Sequence, residues 1–338
     1  MSDKTTASIA FIGAGTHATQ SLYPNIPQIP EFKLVAVCDM NHERADHWAP
    51  RYGAPAFYDV ETMIDAVAPE GVCIVGPAEM HHAVALQVLA RGIPVFVEKP
   101  PATTLAGAIE LADAARASGT WGMVAFMKRF APANAVVREF MDTDGFGALS
   151  TVGLIHGSGP YGDLTAMMYF NGIHMIDLGR YFGGDVKRVS AISYDQGPVK
   201  AVMSTWEFTS GVVGTFNMNS GHTWTDCFEQ VYLSGSSCGV LIDNGRASEV
   251  MSNDGRFAKG EGLDLYGWSR RYYVSGNMSG WGSGGHYTRG YWGELSQFAR
   301  AVCGLVEPTP TLEDGVEAVR LIHAMLDSIA ASGQPIEL

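Results

Sequence analysis

Residues 8–18 read SIAFIGAGTHA, a short apolar run that leads into a glycine-rich turn. The turn that starts at Gly13 fits the pattern G-x-G-x-x-[GA]. In this pattern the first glycine makes a tight turn, and the second, here Gly15, lets a pyrophosphate approach the backbone. Backbone amides at the start of the following helix also suit phosphate groups. The stretch therefore predicts a strand, a phosphate-binding turn and a helix.

An acidic residue, Asp39, ends the second apolar run, KLVAVCD, 21 residues after Ala18. A carboxylate at this point accepts hydrogen bonds from ribose hydroxyls and repels a 2′-phosphate. Turn and acid together favour a dinucleotide site over a purely structural turn, and they favour NAD over NADP. Arg44 keeps NADP open as the less favoured cofactor. The predicted contacts in this region are Gly13, Gly15, Thr16, His17 and Asp39.

Apolar runs alternate with helical patterns from residue 8 to about residue 147. The strand candidates are SIAFIG, KLVAVCD, GVCIVG, PVFVEK and WGMVAF. Alternation at this pace is typical of βαβ units, and the nearly continuous hydrophobicity of the runs indicates a parallel sheet covered on both faces. We predict an α/β protein whose N-terminal domain, residues 1–127, is a Rossmann-type doubly wound parallel sheet.

The pattern changes at about residue 150. Strand-like runs with partial alternation follow one another, separated by turn residues: VKRVSAISY, VKAVMSTWEF, GVVGTFNMN, DCFEQVYLSG and GVLID. They predict an open, mainly antiparallel sheet in a C-terminal α+β domain, residues 128–338. The glycine-rich segment 275–293 predicts an ordered functional loop. The sequence leaves open whether the last helices pack on the first domain or on the second.

Composition excludes several classes of protein. A hydrophobic fraction of 46% with 17% charged residues excludes intrinsic disorder. No run of 18 apolar residues occurs, which argues against a membrane span, and a net charge of −13 disfavours binding to nucleic acid or to anionic membranes. Five cysteines without a CxxC pair, and histidines without zinc-site spacing, predict buried thiols, no metal and a cytoplasmic location.

Glu98 and Lys99 end the fifth predicted strand, before two prolines. Ligands of doubly wound sheets bind beyond the carboxyl ends of the strands. A partly desolvated lysine near a cationic nicotinamide has a lowered pKa and can transfer a proton. A surface lysine in a proline turn is the alternative, and the spacing alone leaves both open.

With these motifs in order, the sequence resembles the Gfo/Idh/MocA oxidoreductases, which include glucose–fructose oxidoreductase and inositol dehydrogenase. The matching segments are FIGAGTHA, VCDMNHERA, GPAEMHHAVALQVLARGIPVFVEKP, GIHMIDLGRYFGG, GYWGELSQFARAVCG and PTLEDGVEAVRLIHAMLDSIAASGQPIEL. The resemblance covers nearly the whole chain. It implies a Rossmann domain followed by an α+β domain whose open sheet commonly mediates oligomer formation, so we expect a homodimer or homotetramer.

The resemblance also implies roles for individual residues of the first domain and the C-terminal region. Lys99 matches the family's catalytic lysine, and Glu98 matches its neighbour on the cofactor side. Pro77 and His81 match the segment beneath the nicotinamide. Tyr291 resembles an aromatic residue that often closes over the cofactor.

For the second domain, His174 matches the family's active-site histidine, and His156 resembles a strand-end residue that helps to bind substrate. Tyr161 and Asn171 are further candidates for contacts with polyol hydroxyls. One departure stands out, because many members carry an aspartate four residues before the histidine. This sequence has Phe170 there, so the second acid of the usual set is missing.

The resemblance implies an NAD-dependent dehydrogenase that oxidises a secondary hydroxyl of a sugar, glycoside or cyclitol. Lys99 would take the hydroxyl proton directly or through His174. Two alternatives remain open: a redox-neutral, NAD-dependent enzyme that cleaves glycosides with a tightly held cofactor, and a non-catalytic NAD-binding regulatory protein.

Overall fold

The computed structural model describes residues 5–224, 227–245, 247–252, 268–273 and 285–338. It divides into two compact units, unit 1 with residues 1–130 and 281–319, and unit 2 with residues 131–280 and 320–338. The first boundary lies three residues from the predicted one. Residues 281–319 cluster with unit 1. The prediction counted them with residues 128–338 and left open whether the last helices pack on the first domain. Most of the predicted loop 275–293 lies outside the described residues.

Unit 1 contains a parallel sheet that, among the described residues, has six strands in the order β3-β2-β1-β4-β5-β6. This order is the one expected of a Rossmann fold. The strands are β1 (Ala7–Ile12), β2 (Phe32–Cys38), β3 (Ala56–Phe57), β4 (Gly71–Ile74), β5 (Val95–Val97) and β6 (Gly122–Val124). The five predicted strands are confirmed. The prediction missed β3, because two residues at a sheet edge carry no periodicity.

Helices connect these strands, in keeping with the helical patterns that alternate with the apolar runs. They are α1 (His42–Trp48), α2 (Val60–Val67), α3 (Ala78–Ala90) and α4 (Leu105–Ala117). Asn41, Asp59 and Thr104 cap three of them by accepting a hydrogen bond from a backbone amide in the first turn. After the glycine turn the chain forms a π-helical segment, Ala18–Leu22, and a 3-10 segment, Tyr23–Gln28.

Unit 2 is built on a second sheet. Its strands are β7 (Leu149–Gly157), β8 (Val186–Gln196), β9 (Val199–Phe208), β10 (Val213–Asn219), β11 (Phe228–Gly235), β12 (Cys238–Asp243), β13 (Ala247–Ser252), β14 (Trp268–Tyr273) and β15 (Ile336–Glu337). Within the described residues their order is β14-β13-β12-β11-β7-β10-β9-β8-β15, with β7 and β10 parallel and the other neighbours antiparallel. The mainly antiparallel sheet is therefore confirmed, although the prediction missed β7, β13, β14 and β15.

Three helices accompany this sheet, α5 (Pro132–Met141), α6 (Leu164–Met167) and α7 (Ile173–Gly183). Helix α7 approaches the sheet closely at Gly179, where an added Cβ would lie 2.6 Å from Leu154 and 2.7 Å from Trp206. Trp206 in turn stacks on Phe216 at a centroid distance of 5.9 Å. This close packing fixes α7, and with it the residues of its first turn, against the inner face of the sheet.

The chain continues with α8 (Gly285–Thr288), α9 (Tyr291–Val302) and α10 (Leu312–Ala330). Helix α9 belongs to unit 1 because Leu295 and Phe298, both fully buried, join the apolar cluster formed by β1 and its neighbours. Thr311 caps α10, since its hydroxyl accepts from the Asp314 amide at 3.3 Å and Asp314 accepts in return from the Thr311 amide at 2.9 Å. None of the described helices is long and apolar enough to cross a membrane.

Candidate active site

Four chain segments meet at one edge of the sheet in unit 1. The glycine turn follows β1, Asp39 follows β2, Pro77 follows β4, and the pair Glu98–Lys99 follows β5. These strands are neighbours in a parallel sheet, so their carboxyl ends lie side by side. This edge is where an α/β sheet binds its ligand.

Positions 13 and 15 of the turn are glycines for different structural reasons. Gly13 has a φ of +105°, and an added Cβ would lie 1.7 Å from the carbonyl oxygen of Val75. The turn is further held by the Tyr23 hydroxyl, which donates to the Gly13 carbonyl at 2.9 Å. At Gly15 an added Cβ would find no heavy atom nearer than Arg44 Nη1, at 4.0 Å. The space beside Gly15 therefore suits an incoming pyrophosphate, and the turn fits NAD.

Asp39 connects the turn to the next helix. Its Oδ2 accepts from the Ala14 amide and its Oδ1 from the Asn41 amide, each at 2.8 Å. Asn41 is the N-cap of α1. Each carboxylate oxygen keeps a further lone pair, which can accept from a ribose hydroxyl. Asp39 can thus organise two loops and bind the cofactor at the same time.

Glu98 is a buried carboxylate, 4% exposed, that binds His17 and the backbone. Its Oε1 lies 2.8 Å from His17 Nε2, and its Oε2 accepts from the Lys99 amide at 3.0 Å. Burial by itself raises the pKa of Glu98, but the charges of His17 and Lys99 outweigh it and hold the pKa below its ordinary value. Glu98 is therefore the anionic centre of this edge.

Lys99 is half-buried beside Glu98. Burial lowers the pKa of its amine, the charge of Glu98 opposes that effect, and the charge of Lys128 adds to it; the pKa lies below the ordinary value for lysine. A lysine with a lowered pKa has a larger fraction of neutral amine available to accept a proton.

Pro77 and His81 lie at the start of α3. Pro77 is its exposed N-cap residue, whereas His81 is 2% exposed. His81 Nδ1 lies 2.8 Å from the Pro100 carbonyl, and Nε2 accepts from the Gly76 amide at 3.3 Å. Because a carbonyl can only accept, Nδ1 carries the proton. His81 thus holds the loop after Lys99 against the loop after β4.

The N-terminal turn of α9 brings Tyr291 and Glu294 into unit 1. Tyr291 is 8% exposed, and its ring centroid lies 5.7 Å from that of His17. Glu294 is fully buried, and neither of its carboxyl oxygens has a hydrogen-bond partner among the described residues. Burial and the charge of Glu98 raise the pKa of Glu294 well above its ordinary value. Sequence reasoning missed Glu294, although an acid within the apolar helical pattern YWGELSQF was a usable signal.

A connected polar network in unit 2 contains three of the predicted substrate residues. Glu229 Oε2 lies 3.3 Å from Nδ1 of His156, whose Nε2 lies 2.9 Å from Ser158 Oγ. Ser158 Oγ lies 2.6 Å from the Tyr161 hydroxyl, and Asn171 Nδ2 donates to both oxygens at 3.0 and 2.8 Å. The hydrogen bonds are mutually consistent if Tyr161 donates to Ser158 and Ser158 donates to His156 Nε2. His156 Nδ1 lies at ion-pair distance from Glu229 but has no hydrogen-bond partner among the described residues. Sequence reasoning missed Ser158 and Glu229.

His174 lies in the first turn of α7 and is 5% exposed. Phe170, at the position of the family aspartate, is 56% exposed and thus presents a ring where a carboxylate is usual. Among the described residues, no group of three His, Cys, Asp or Glu side chains could hold a metal ion.

The predicted site residues therefore fall into two sets, each described within its own unit. Unit 1 holds Gly13, Gly15, Thr16, His17, Asp39, Pro77, His81, Glu98, Lys99 and Tyr291. Unit 2 holds His156, Tyr161, Asn171 and His174. Thr16 and His17 are exposed, as contacts to a ligand require. The individual binding and catalytic roles stay predictions.

Comparison with curated proteins finds relatives that are named as dehydrogenases. D-glucoside 3-dehydrogenase of Escherichia coli K12 is 30% identical over 267 residues, which is 68% of this chain and 74% of that protein. Inositol 2-dehydrogenase of Streptomyces avermitilis is 29% identical over 181 residues, 52% of this chain and 53% of that protein. Many further relatives carry the name inositol 2-dehydrogenase.

Solved structures share the fold over the full length. A dehydrogenase from Chromobacterium violaceum has a TM-score of 0.86 at 25% identity and covers 97% of this chain and 96% of its own. Levoglucosan dehydrogenase in complex with NADH has a TM-score of 0.83 at 19% identity and shows the same fold. The match covers 98% of this chain and 99% of that enzyme's chain.

A family model described as an oxidoreductase family with an NAD-binding Rossmann fold matches residues 7–126. This range contains the glycine turn, Asp39 and the Glu98–Lys99 pair. The predicted fold class, cofactor and enzyme class are confirmed. The chain belongs to the Gfo/Idh/MocA family and is an NAD-dependent oxidoreductase acting on CH–OH groups.

Proposed function

We propose that the protein is a dehydrogenase that oxidises a secondary hydroxyl of a sugar, glycoside or cyclitol. The observation that carries this proposal is Lys99, a half-buried lysine with a lowered pKa at the same sheet edge as the phosphate turn. The names of the relatives, a glucoside dehydrogenase and inositol dehydrogenases, support the substrate class.

In the proposed mechanism, NAD supplies the hydride acceptor when it is bound. Lys99 accepts the proton of the reacting hydroxyl, either directly or through His174. The carboxylate of Glu98 stabilises the lysine once it is protonated. His17, hydrogen-bonded to Glu98 and exposed, keeps this carboxylate in place.

The network in unit 2 is proposed to bind the other hydroxyls of the substrate. Asn171 uses its amide nitrogen for Ser158 and Tyr161, and within the described residues its Oδ1 accepts no hydrogen bond. This oxygen is available to a substrate hydroxyl. Because Ser158 and Tyr161 fix the position of the amide, little side-chain entropy is lost on binding.

The test is an NADH-absorbance assay of the wild type and Lys99→Ala with NAD and a panel of monosaccharides, inositols and glycosides. We expect Lys99→Ala to lose about 10²–10⁴-fold in kcat, as is typical for removal of an acid–base group, while it still binds NAD. Lys187→Ala, an exposed surface lysine, serves as the control. Wild-type turnover in Lys99→Ala would refute the mechanism. Release of an aglycone without net NADH would favour glycoside cleavage.

We also propose that copies of this chain associate through the outer face of the sheet in unit 2. Side chains that point away from the core here are apolar and exposed: Ile192 61%, Tyr194 50%, Met203 54%, Val213 53% and Tyr232 43%. Ile192 and Met203 lie directly opposite each other on β8 and β9. Several large apolar side chains exposed on one sheet face are typical of a protein–protein interface, and they support the predicted homodimer or homotetramer.

A cytoplasmic location is proposed as well. None of the five cysteines forms a disulfide, and four of them are buried. Thiols of this kind are usual in a reducing compartment.

A further inference from the structure

Three aromatic rings cluster beside the polar network of unit 2. The ring centroid of Trp224 lies 4.8 Å from that of Tyr161 and 5.4 Å from that of Phe170. Tyr161 and Phe170 are 6.4 Å apart, and all three pairs have edge-to-face geometry. In an edge-to-face pair, one of the two rings contributes its edge and not its face.

This cluster is exposed to an extent that a packing role does not explain. Phe170 is 56% exposed and Trp224 is 37% exposed. An aromatic side chain stabilises a protein most when it is fully buried, so rings that serve only stability are placed in the core, as Phe208 and Phe216 are in this unit. Two large rings left at the surface next to oriented polar groups are typical of a ligand site.

Polar side chains next to the aromatic cluster hold one of its rings, that of Tyr161, in a fixed orientation. Tyr161 belongs both to the aromatic cluster and to the polar network. Its ring contacts Trp224, and its hydroxyl is held by Ser158 and Asn171. An apolar surface and a hydroxyl-binding amide are thereby joined through one side chain. A ligand that fits both has a polyhydroxylated ring attached to a flat apolar group.

We propose that Tyr161, Phe170 and Trp224 form a stacking subsite for the planar apolar aglycone of a glycoside. This inference rests on the proposed function and narrows its substrate class from sugars, glycosides and cyclitols in general to glycosides with an aromatic aglycone. Asn171 binds a hydroxyl of the sugar, and the aglycone lies on the exposed rings. Phe170 is the decisive position, because a carboxylate there would place a charge against an apolar group.

The test measures binding without turnover. The NADH complex of the wild type cannot accept a hydride, so titration calorimetry of this complex reports affinity alone. The probes are phenyl β-D-glucoside and methyl β-D-glucoside, which share the sugar and differ in the aglycone. We expect Kd for the phenyl glucoside to be lower by at least about fivefold, the size of one good aromatic contact.

Matched variants assign the preference to the rings. Phe170→Leu and Trp224→Leu keep an apolar side chain but remove the ring, and we expect the ratio of the two Kd values to fall towards one. Phe170→Tyr keeps the ring and should retain the ratio. Thermal midpoints of all variants verify that they are folded.

The outcomes separate the two proposals. Equal affinity for both glucosides, no binding of either, or a preference that survives both leucine variants overturns the subsite. NADH formation from any polyol with NAD tests the dehydrogenase independently, so the dehydrogenase can stand when the subsite fails. A ring-dependent preference in binding without any NADH formation supports the subsite and counts against the dehydrogenase.

Discussion

At the scale of single residues, the two glycines of the turn separate folding from cofactor binding. The fold itself requires glycine at position 13, since its φ is positive and the Val75 carbonyl occupies the place of a side chain. Gly15 lacks such a constraint, because the nearest heavy atom would be 4.0 Å away. The reason for a glycine at position 15 is therefore space for the ligand.

This difference predicts opposite results for two alanine variants. Gly13→Ala is expected to lose at least about 3 kcal/mol of stability through backbone strain and the clash with Val75. Gly15→Ala should keep its thermal midpoint but bind NAD at least about tenfold more weakly, because a methyl group takes the place of a pyrophosphate oxygen. Thermal unfolding and NAD titration measure the two effects. Unchanged NAD affinity in Gly15→Ala would exclude the turn from the cofactor site.

At the scale of elements, α9 carries a buried acid into unit 1. The apolar residues of this helix, among them Phe298, pack on the parallel sheet, and the same packing encloses Glu294 in its first turn. The carboxyl group is favoured in its neutral form, because burial penalises the charge and Glu98 is an anion close by. In the unfolded chain the same group has an ordinary pKa of about 4.3.

The raised pKa of Glu294 predicts a pH-dependent loss of stability. Above the unfolded pKa, the folded state holds a proton that the unfolded state has lost, so stability falls as pH rises towards the folded pKa, by up to about 1.4 kcal/mol per pH unit. Glu294→Gln has no titrating proton at this position. Its free energy of unfolding should therefore rise relative to that of the wild type between pH 5 and pH 8. Thermal midpoints at both pH values measure this, with the exposed Glu139→Gln as control. A difference between Glu294→Gln and wild type that does not change with pH would contradict a neutral Glu294.

At the scale of the whole molecule, the outer face of the second sheet is where association is expected. Its exposed apolar side chains come from β8, β9, β10 and β11, which belong to one sheet with β7 between β10 and β11. A monomer with such a surface would be prone to aggregation.

We expect the double variant Ile192→Lys and Met203→Lys to dissociate the oligomer, because both lysines would lie in the interface and repel their counterparts. Light scattering coupled to gel filtration measures the mass. Val136→Lys, on the exposed side of α5, is the matched control and should leave the mass unchanged. A wild type of monomer mass, or a double variant with the wild-type mass, would refute this interface.

The sequence determined the parts of the protein whose signals are local. The apolar runs, the glycine turn, Asp39 at the end of β2 and the Glu98–Lys99 pair at the end of β5 could all be recognised, because strand periodicity and turn chemistry depend on neighbouring residues. The two-residue edge strands β3 and β15 had too few residues to show a period.

Only the tertiary structure decided which distant residues meet. Glu229 lies 73 positions from His156, and the two become neighbours only because β7 and β11 pair at that register. Helix α9 joins unit 1 across more than 150 residues, which makes Glu294 a neighbour of the Glu98–Lys99 pair. Trp224 reaches Phe170 in the same way. The physical reason is that long-range contacts follow from the burial of whole faces of helices and sheets, and no short stretch of sequence encodes which faces will pack together.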